Sequence, residues 1–300
     1  MHIAKLVVVG VGLIGGSCAL ALRHAGVVGQ IVGVGRTQAN LDDALRLGVI
    51  DRARLLEDDW TAELHDADIV LVAAPVAQYA DLFALIAPAI GIATIVTDAG
   101  STKQDVIATA CAAFGPRMAT FVPAHPIAGT AHSGAAAALP GLYDGHIVIV
   151  TPLPETDAVA LARVTALWQA CGARVATLDA ARHDRIYAAV SHLPHLLAFA
   201  YVAELAARPD AAQLLAHGGG GFRDFTRIAG GSPEMWRDIA LANRGALQAE
   251  LRAYRAALDE LAGALDARDG AALERMFARS RTARQAWETA ADRRRDGGEE

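Results

Sequence analysis

Gly10-Val11-Gly12-Leu13-Ile14-Gly15 follows an apolar run at residues 6–9 and opens a small-residue, helix-like segment at residues 17–22. No other stretch narrows the possible folds as far. In a strand-turn-helix of this kind the first glycine allows a tight turn, the second lets the backbone approach a ligand, and the third permits close helix-strand packing. The open N–H groups and the helix dipole attract phosphate, so Gly10, Gly12, Leu13, Ile14 and Gly15 are expected to hold a dinucleotide pyrophosphate. Glycine turns serve many loops for structural reasons alone. The strand before this one and the helix after it favour the nucleotide reading.

Cofactor choice in such a unit is made about twenty residues further on, at the end of the second strand. That strand, residues 31–34, runs into Gly35-Arg36-Thr37 with no Asp or Glu. An acid there bonds the ribose 2′-hydroxyl and repels a 2′-phosphate, whereas Arg36 and Thr37 beside Gly35 can receive the phosphate. The expectation is that NADP is used at least as well as NAD. The competing reading makes Arg36 an ordinary solvated loop residue.

Strand and helix patterns alternate through residues 1–178. Further strands are expected at 68–73, 94–96, 118–122, 147–150 and 174–177, with helices at 38–47, 78–88 and 158–170. This alternation predicts an α/β, Rossmann-type doubly wound parallel sheet. Ligands bind beyond the C-terminal strand ends of such sheets, where the loops with Pro75, Ser101 and His125 fall. From residue 179 strands disappear. Asp179 is placed to cap a long helix through 208 with Pro194 inside it, and helices are expected at 213–217, 222–229, 233–265 and 271–291. Residues 179–300 therefore read as an all-helical domain that binds substrate and pairs with a second copy as a homodimer, with a frayed tail from about 293.

Three hundred residues accommodate two such domains, and 53% hydrophobic with 20% charged residues describes a globular chain. A net charge of −6 offers nucleic acid no electrostatic footprint. Cys18, Cys111 and Cys171 are scattered without a C-x-x-C pair, which suits a reducing cytoplasm. The apolar start through residue 22 follows the nucleotide-loop pattern rather than that of a signal peptide. The apolar run at 82–97 contains Pro88 and Gly91 and falls short of a bilayer span, so no membrane segment is expected.

Several residues carry possible chemistry. With an unperturbed pKa of ~6.5, His125 can take a proton from a hydroxyl at neutral pH, or it structures the turn before Pro126. Ser101 can bond a nicotinamide amide, a substrate hydroxyl or the imidazole, or it caps the helix that follows. His192 and His195 share a helical face beside Pro194; without a third ligand at suitable spacing they do not predict a metal site. They are substrate contacts or core histidines. Arg223 and Arg227, one helical turn apart, can clamp a carboxylate or stay solvated.

Five motifs occur in order: Gly-Val-Gly-Leu-Ile-Gly-Gly-Ser at 10–17, Thr-Asp-Ala-Gly-Ser-Thr-Lys at 97–103, His-Pro-Ile-Ala-Gly-Thr at 125–130, Val-Ser-His-Leu-Pro-His at 190–195 and Gly-Gly-Gly-Phe-Arg-Asp-Phe-Thr-Arg-Ile-Ala at 219–229. Together they resemble the prephenate/arogenate dehydrogenase family of tyrosine biosynthesis, over about residues 4–255. The resemblance implies oxidative decarboxylation of prephenate to 4-hydroxyphenylpyruvate, or of arogenate to tyrosine, with NADP or NAD. It makes His125 the proton acceptor, with Ser101 orienting His125 and the nicotinamide. It makes Arg227 the carboxylate clamp and puts His195 and Thr130 in the substrate pocket, with Pro75 beside the cofactor. Many prephenate-using members carry an acid just after Gly-Thr, where this chain has Ala131, so the resemblance leaves the substrate open between the two.

The competing readings are a β-hydroxyacid dehydrogenase or imine reductase, and a non-catalytic NADP sensor. The first would put a lysine or aspartate to catalytic use in the helical domain, yet Lys5 and Lys103 are the only lysines. The second leaves Ser101, His125, His195 and Arg227 without a reason to stand together.

Overall fold

The computed structural model describes residues 1–130 and 132–295, without the side chains of 291–295. Ala131, on which the open substrate question turned, lies outside them. The chain begins with β1 (Ile3–Val9), whose last four residues alternate between two apolar layers. Leu6 and Val8 pack into one cluster with helix α1 (Leu13–His24), while Val7 and Val9 pack into the other. A strand buried on both faces reads as one continuous apolar run, and this is why the start of the chain has no polar alternation.

β2 (Val28–Gly35), α2 (Gln38–Arg46), β3 (Arg52–Leu55), β4 (Ile69–Val72), α3 (Tyr79–Ala89), β5 (Ile95–Asp98), α4 (Gln104–Phe114) and β6 (Phe121–Val122) follow. They build a six-stranded sheet of order β3-β2-β1-β4-β5-β6 in which every pair is parallel. The order reverses between β1 and β4, so a crevice opens at the carboxyl ends of Val9 and Val72. β3 has no counterpart in the sequence expectation. It is a half-exposed edge strand whose Arg52 and Arg54 turn to the buried Glu63, so it lacks the apolar signal of a strand.

Strand 118–122 proves shorter than expected. Residues 115–120 form a 3-10 helix, and Pro123, with no N–H to donate, ends β6 after two residues. The chain then enters a second, three-stranded sheet made of β7 (Ala124–Pro126), β8 (Ile147–Val150) and β9 (Arg174–Thr177), with α5 (Ala158–Ala170) between the last two. β7 runs antiparallel to β8, with His125 opposite Ile149. His125 therefore sits within a strand rather than in the loop expected from its neighbouring proline.

The helical part starts as Asp179 accepts a bond from the Arg182 N–H and caps α6 (Ala180–Tyr187). The single long helix expected through 208 is instead α6, a π turn at Ala188–His192 and α7 (Leu193–Ala206). Pro194 falls in the first turn of α7, and the wider π turn before it absorbs the missing donor. The run is long and apolar enough to span a bilayer by composition, but it carries buried His183, Asp184 and His192, all bonded within the protein. α8 (Ala211–Ala216), α9 (Gly220–Thr226), α10 (Pro233–Ala242), α11 (Arg244–Asp266) and α12 (Gly270–Arg295) complete the chain. The helix expected over 233–265 breaks at Asn243, whose side chain is committed elsewhere. Residues 293–295, expected to be frayed, are helical; 296–300 lie outside the described residues.

The strands end at Thr177, yet the compact unit extends from Met1 to Leu247. From Gln248 the described residues form a second unit, along which Tyr254, Leu258, Leu265, Phe277 and Trp287 are exposed. The cysteines are less scattered than their spacing suggests. Cys18 of α1 and Cys171, just past α5, are buried as free thiols with their sulfurs 3.8 Å apart.

Candidate active site

The glycine turn lies at the switch point. Gly10 has φ +101°, and a Cβ there would stand 2.5 Å from the Ala73 carbonyl oxygen, so the first position admits only glycine. At Gly15 an added Cβ would collide with the Gly10 carbonyl oxygen, whereas at Gly12 it would meet nothing within 4 Å. The middle glycine thus leaves its approach open while the outer two close against protein. α1 starts at Leu13 with no side-chain cap and no acid in its first turn, an arrangement suited to an anionic ligand. Asn40 braces the turn, donating to the Val11 carbonyl at 2.7 Å and accepting from the Ala135 N–H at 2.7 Å. Gly35 ends β2, and Arg36 follows with its side chain 60% exposed, 3.9 Å from Glu234. Pro75 opens the turn after β4, against which α10 packs.

His125 belongs to a buried polar seam beyond the ends of β4 and β5. Ala124, the residue before it, is held on both sides. Its N–H donates to Asp98 at 2.9 Å and its carbonyl accepts from Lys103 Nζ at 2.8 Å. Asp98 and Lys103 are themselves an ion pair at 2.5 Å, both fully buried. Asp184 from α6 reaches across to the head of α4, accepting from the Lys103 and Gln104 N–H groups at 2.9 Å each. A distant carboxylate therefore satisfies the helix terminus that Ser101 was expected to cap.

His183 links this acid to the strand. Its Nδ1 lies 2.8 Å from Asp184 Oδ1, and its Nε2 lies 2.8 Å from His125 Nδ1. The partner of His125 in this structure is therefore His183, not Ser101. Tyr187 packs edge-on against the His125 ring at 5.0 Å. Burial, joined by the neighbouring His183, the Lys103 charge and His192, holds His125 well below its ordinary 6.5. Burial also lowers His183, and its bond to Asp184 opposes this only in part. Burial alone would raise Asp184, but its bonds to His183 and the two backbone N–H groups outweigh that and keep it below the usual carboxylate range. The result is a neutral imidazole at the strand end backed by an ionised carboxylate.

A more open set of groups borders the seam. His195 stacks on Trp236 with centroids 3.7 Å apart, and its Nδ1–H donates to the Ser191 carbonyl at 2.9 Å. Burial lowers its pKa, as does the positive charge of Arg227. Arg227 stands exposed at the start of a 3-10 turn that packs on α7. Arg223, the other clamp candidate, is 82% exposed and only 3.8 Å from Asp224. His192, pushed down to about 4 by burial, accepts from Asn243 at 3.1 Å on Nδ1. Its Nε2 is buried without a partner among the described residues. Thr130 is exposed, its hydroxyl accepting from the His132 N–H. Among the described residues no cluster of acids, histidines and cysteines could hold a metal ion.

The sequence reading did not assign Asp98, Lys103, His183, Asp184, Asn243 or Trp236. Asp98 and Lys103 lay inside a motif already singled out, and their five-residue spacing about a turn was an available sign of a pair. His183-Asp184 resembles any polar stretch on an amphipathic helix, so only the fold could single it out.

Comparison with known proteins identifies the family. A family model described as prephenate dehydrogenase, nucleotide-binding domain, matches residues 18–177, and one described as prephenate dehydrogenase, dimerization domain, matches 179–279. The cyclohexadienyl dehydrogenase of Zymomonas mobilis is 33% identical over 96% of this chain and 96% of its own. The prephenate dehydrogenase of Bacillus subtilis is 33% identical over 91% of this chain and 73% of its own. Among solved structures, the Aquifex aeolicus prephenate dehydrogenase in complex with hydroxyphenyl propionate and NAD+ superposes with a TM-score of 0.87 at 32% identity, covering 95% and 99% of the two chains. Synechocystis arogenate dehydrogenase gives 0.77 at 29%, covering 94% and 99%.

Proposed function

The chain belongs to the prephenate dehydrogenase family, and from that premise we propose that it oxidatively decarboxylates prephenate to 4-hydroxyphenylpyruvate in tyrosine biosynthesis. The observation that carries this reading is a buried, neutral histidine, His125, held in a strand next to the buried Asp98–Lys103 pair. A base for a ring hydroxyl must be unprotonated at working pH, and the burial of His125 ensures this. The bound nicotinamide supplies the hydride acceptor. As the ring C–H leaves with its electron pair, His125 takes the hydroxyl proton; the ring carboxyl then departs as carbon dioxide, and its bonding pair makes the ring aromatic. The enzyme's contribution is orientation and proton acceptance.

Gly10, Gly12, Leu13, Ile14 and Gly15 hold the pyrophosphate at the head of α1, and Pro75 lies on the same crevice. Gly35, Arg36 and Thr37 receive the 2′-phosphate, which favours NADP over NAD; the exposure of Arg36 leaves its guanidinium available. Arg227 clamps a substrate carboxylate, with His195 and Thr130 beside it. Ser101 serves the nicotinamide or the substrate, since His183 already occupies the other side of the His125 ring. One observation favours arogenate as a second substrate. His195 donates through Nδ1, so its Nε2 presents a lone pair, which suits an ammonium better than a carboxylate. A homodimer, through the helices the family model describes as dimerization domain, and a cytoplasmic location with thiols kept reduced complete the proposal.

Initial rates with prephenate and arogenate, each paired with NADP and NAD, test it. The expected result is turnover of prephenate with NADP at least as fast as with NAD. No reduced-nicotinamide absorbance with either substrate and either cofactor would overturn it.

A further inference from the structure

His183 and Asp184 are 0% and 2% exposed, and the reaction as written above gives neither a task. We propose that they are a positioning pair: they keep the resting proton of His125 on Nδ1, present its Nε2 lone pair to the substrate hydroxyl, and support the charge His125 gains. The proposal rests on the reading of His125 as the base.

The direction of the chain follows from counting protons. Asp184 Oδ1 accepts from the Lys103 N–H and Oδ2 from the Gln104 N–H, so its carboxylate is ionised and can only accept. His183 must therefore give Asp184 its Nδ1–H across 2.8 Å. A neutral imidazole has one N–H, so Nε2 of His183 is left as an acceptor, and the group 2.8 Å away is His125 Nδ1. His125 then carries its proton on Nδ1 and its free lone pair on Nε2. The opposite direction would set a lone pair against a carboxylate in a buried site, which is strongly unfavourable. A doubly protonated His183 would reverse the last bond, but burial and the nearby Lys103 charge hold it neutral.

When His125 takes a proton, its Nδ1–H bond to His183 becomes charge-assisted, and Asp184 polarises His183 from behind. The other groups facing this pair are Lys103 at the head of α4, Asp105 in its first turn, Asp98 from β5, His192 from the π turn and Tyr187 closing α6. Asp98 and Lys103 offset each other. Burial raises Asp105, and Asp184 is the carboxylate hydrogen-bonded to the His183 imidazole.

Two variants separate positioning from packing. His183→Phe keeps an aromatic ring but offers no acceptor, whereas His183→Gln retains a carbonyl for the His125 N–H and an amide N–H for Asp184. His183→Phe is expected to lower kcat by up to about 10⁴-fold, the loss known for a histidine base in the wrong tautomer, with cofactor affinity unchanged. His183→Gln is expected to recover most of the loss. Equal losses in both variants, or none in His183→Phe, would overturn the proposal. In Asp184→Asn the acid limb of the kcat/KM profile should move to lower pH because the imidazolium has lost its support; an unmoved limb counts against the pair.

A measurement without substrate guards against misfolded variants. Imidazole 15N shifts of the wild-type protein should show His125 with a protonated Nδ1 and an unprotonated Nε2, and the reverse tautomer overturns the proposal. The expected tautomer in a protein that turns over neither substrate would support the pair while defeating the functional reading, so the two failures are distinct.

Discussion

The seam around His125 and the rim around Arg36 and Arg227 handle charge in opposite ways. In the seam Asp98, Lys103, His183 and Asp184 are all nearly or wholly buried, and each is satisfied by protein groups before any ligand arrives. At the rim Arg36 and Arg227 stand in water, with at most a loose partner. Burial makes electrostatic interactions strong and geometry costly to change, which suits a base that must keep one tautomer and one position. Exposure leaves guanidinium groups uncommitted, which suits anions that come and go. The molecule separates proton transfer from ligand capture by depth.

The largest expected effect bears on the seam. His125→Ala should lower turnover about 10²–10⁴-fold while cofactor affinity holds, as initial rates and cofactor titration will show. Near-normal turnover would move the base elsewhere and dissolve the contrast. Next in size, Asp98→Ala leaves the Lys103 ammonium buried without its partner and orphans the Ala124 N–H. It should cost about 3–5 kcal/mol of stability in urea denaturation; a loss within error would mean the pair is not the brace described above.

Acid should expose the same division. His192 titrates at about 4 against an ordinary 6.5, and His125, His183 and His195 are displaced in the same direction. These are lowered folded-state values; for His192, the unfolded chain between 6.5 and about 4 binds a proton that the folded one refuses. Its stability contribution is complete above 6.5 and falls away as the pH drops towards 4, and the other three histidines act in the same direction. His192 alone accounts for roughly 3 kcal/mol. Denaturation curves at neutral and acid pH check this, and His192→Gln should flatten the difference. Parallel wild-type and variant pH dependences would exclude His192 as a source.

The rim effects are smaller. Arg227→Ala should weaken substrate binding by about 2 kcal/mol, at the low end for a truncated charge pair because the side chain begins in water. An unchanged KM would pass the clamp to Arg223. Arg36→Asp should turn the cofactor preference towards NAD, by about 1.5–3 kcal/mol in the ratio of kcat/KM values, the worth of a charge-assisted bond. An unaltered ratio would place the phosphate elsewhere.

Much of this was legible before any coordinates. The glycine turn, the alternation through 178 and the Asp179 cap each depend on local rules: φ beyond the reach of side chains, apolar period and side-chain capping. The expectations that failed involve distant partners. Ser101 was the local choice to cap α4, but a carboxylate 80 residues further along the chain takes that place. Pro126 suggested a turn at His125, yet pairing with β8 makes it a strand. Asn243 interrupts an otherwise helical pattern because its side chain bonds the Asp184 carbonyl and His192.

By itself, then, the sequence determined the nucleotide-binding architecture, the alternation of elements and the family, because periodicity, glycine spacing and ordered motifs are properties of neighbouring residues. Only the tertiary structure decided which nitrogen of His125 is free, which acid stands behind it, and that a buried Asp98–Lys103 pair braces its strand. Those outcomes depend on hydrogen bonds between residues 20 or more positions apart, and a bond of that kind leaves no period in the chain to read.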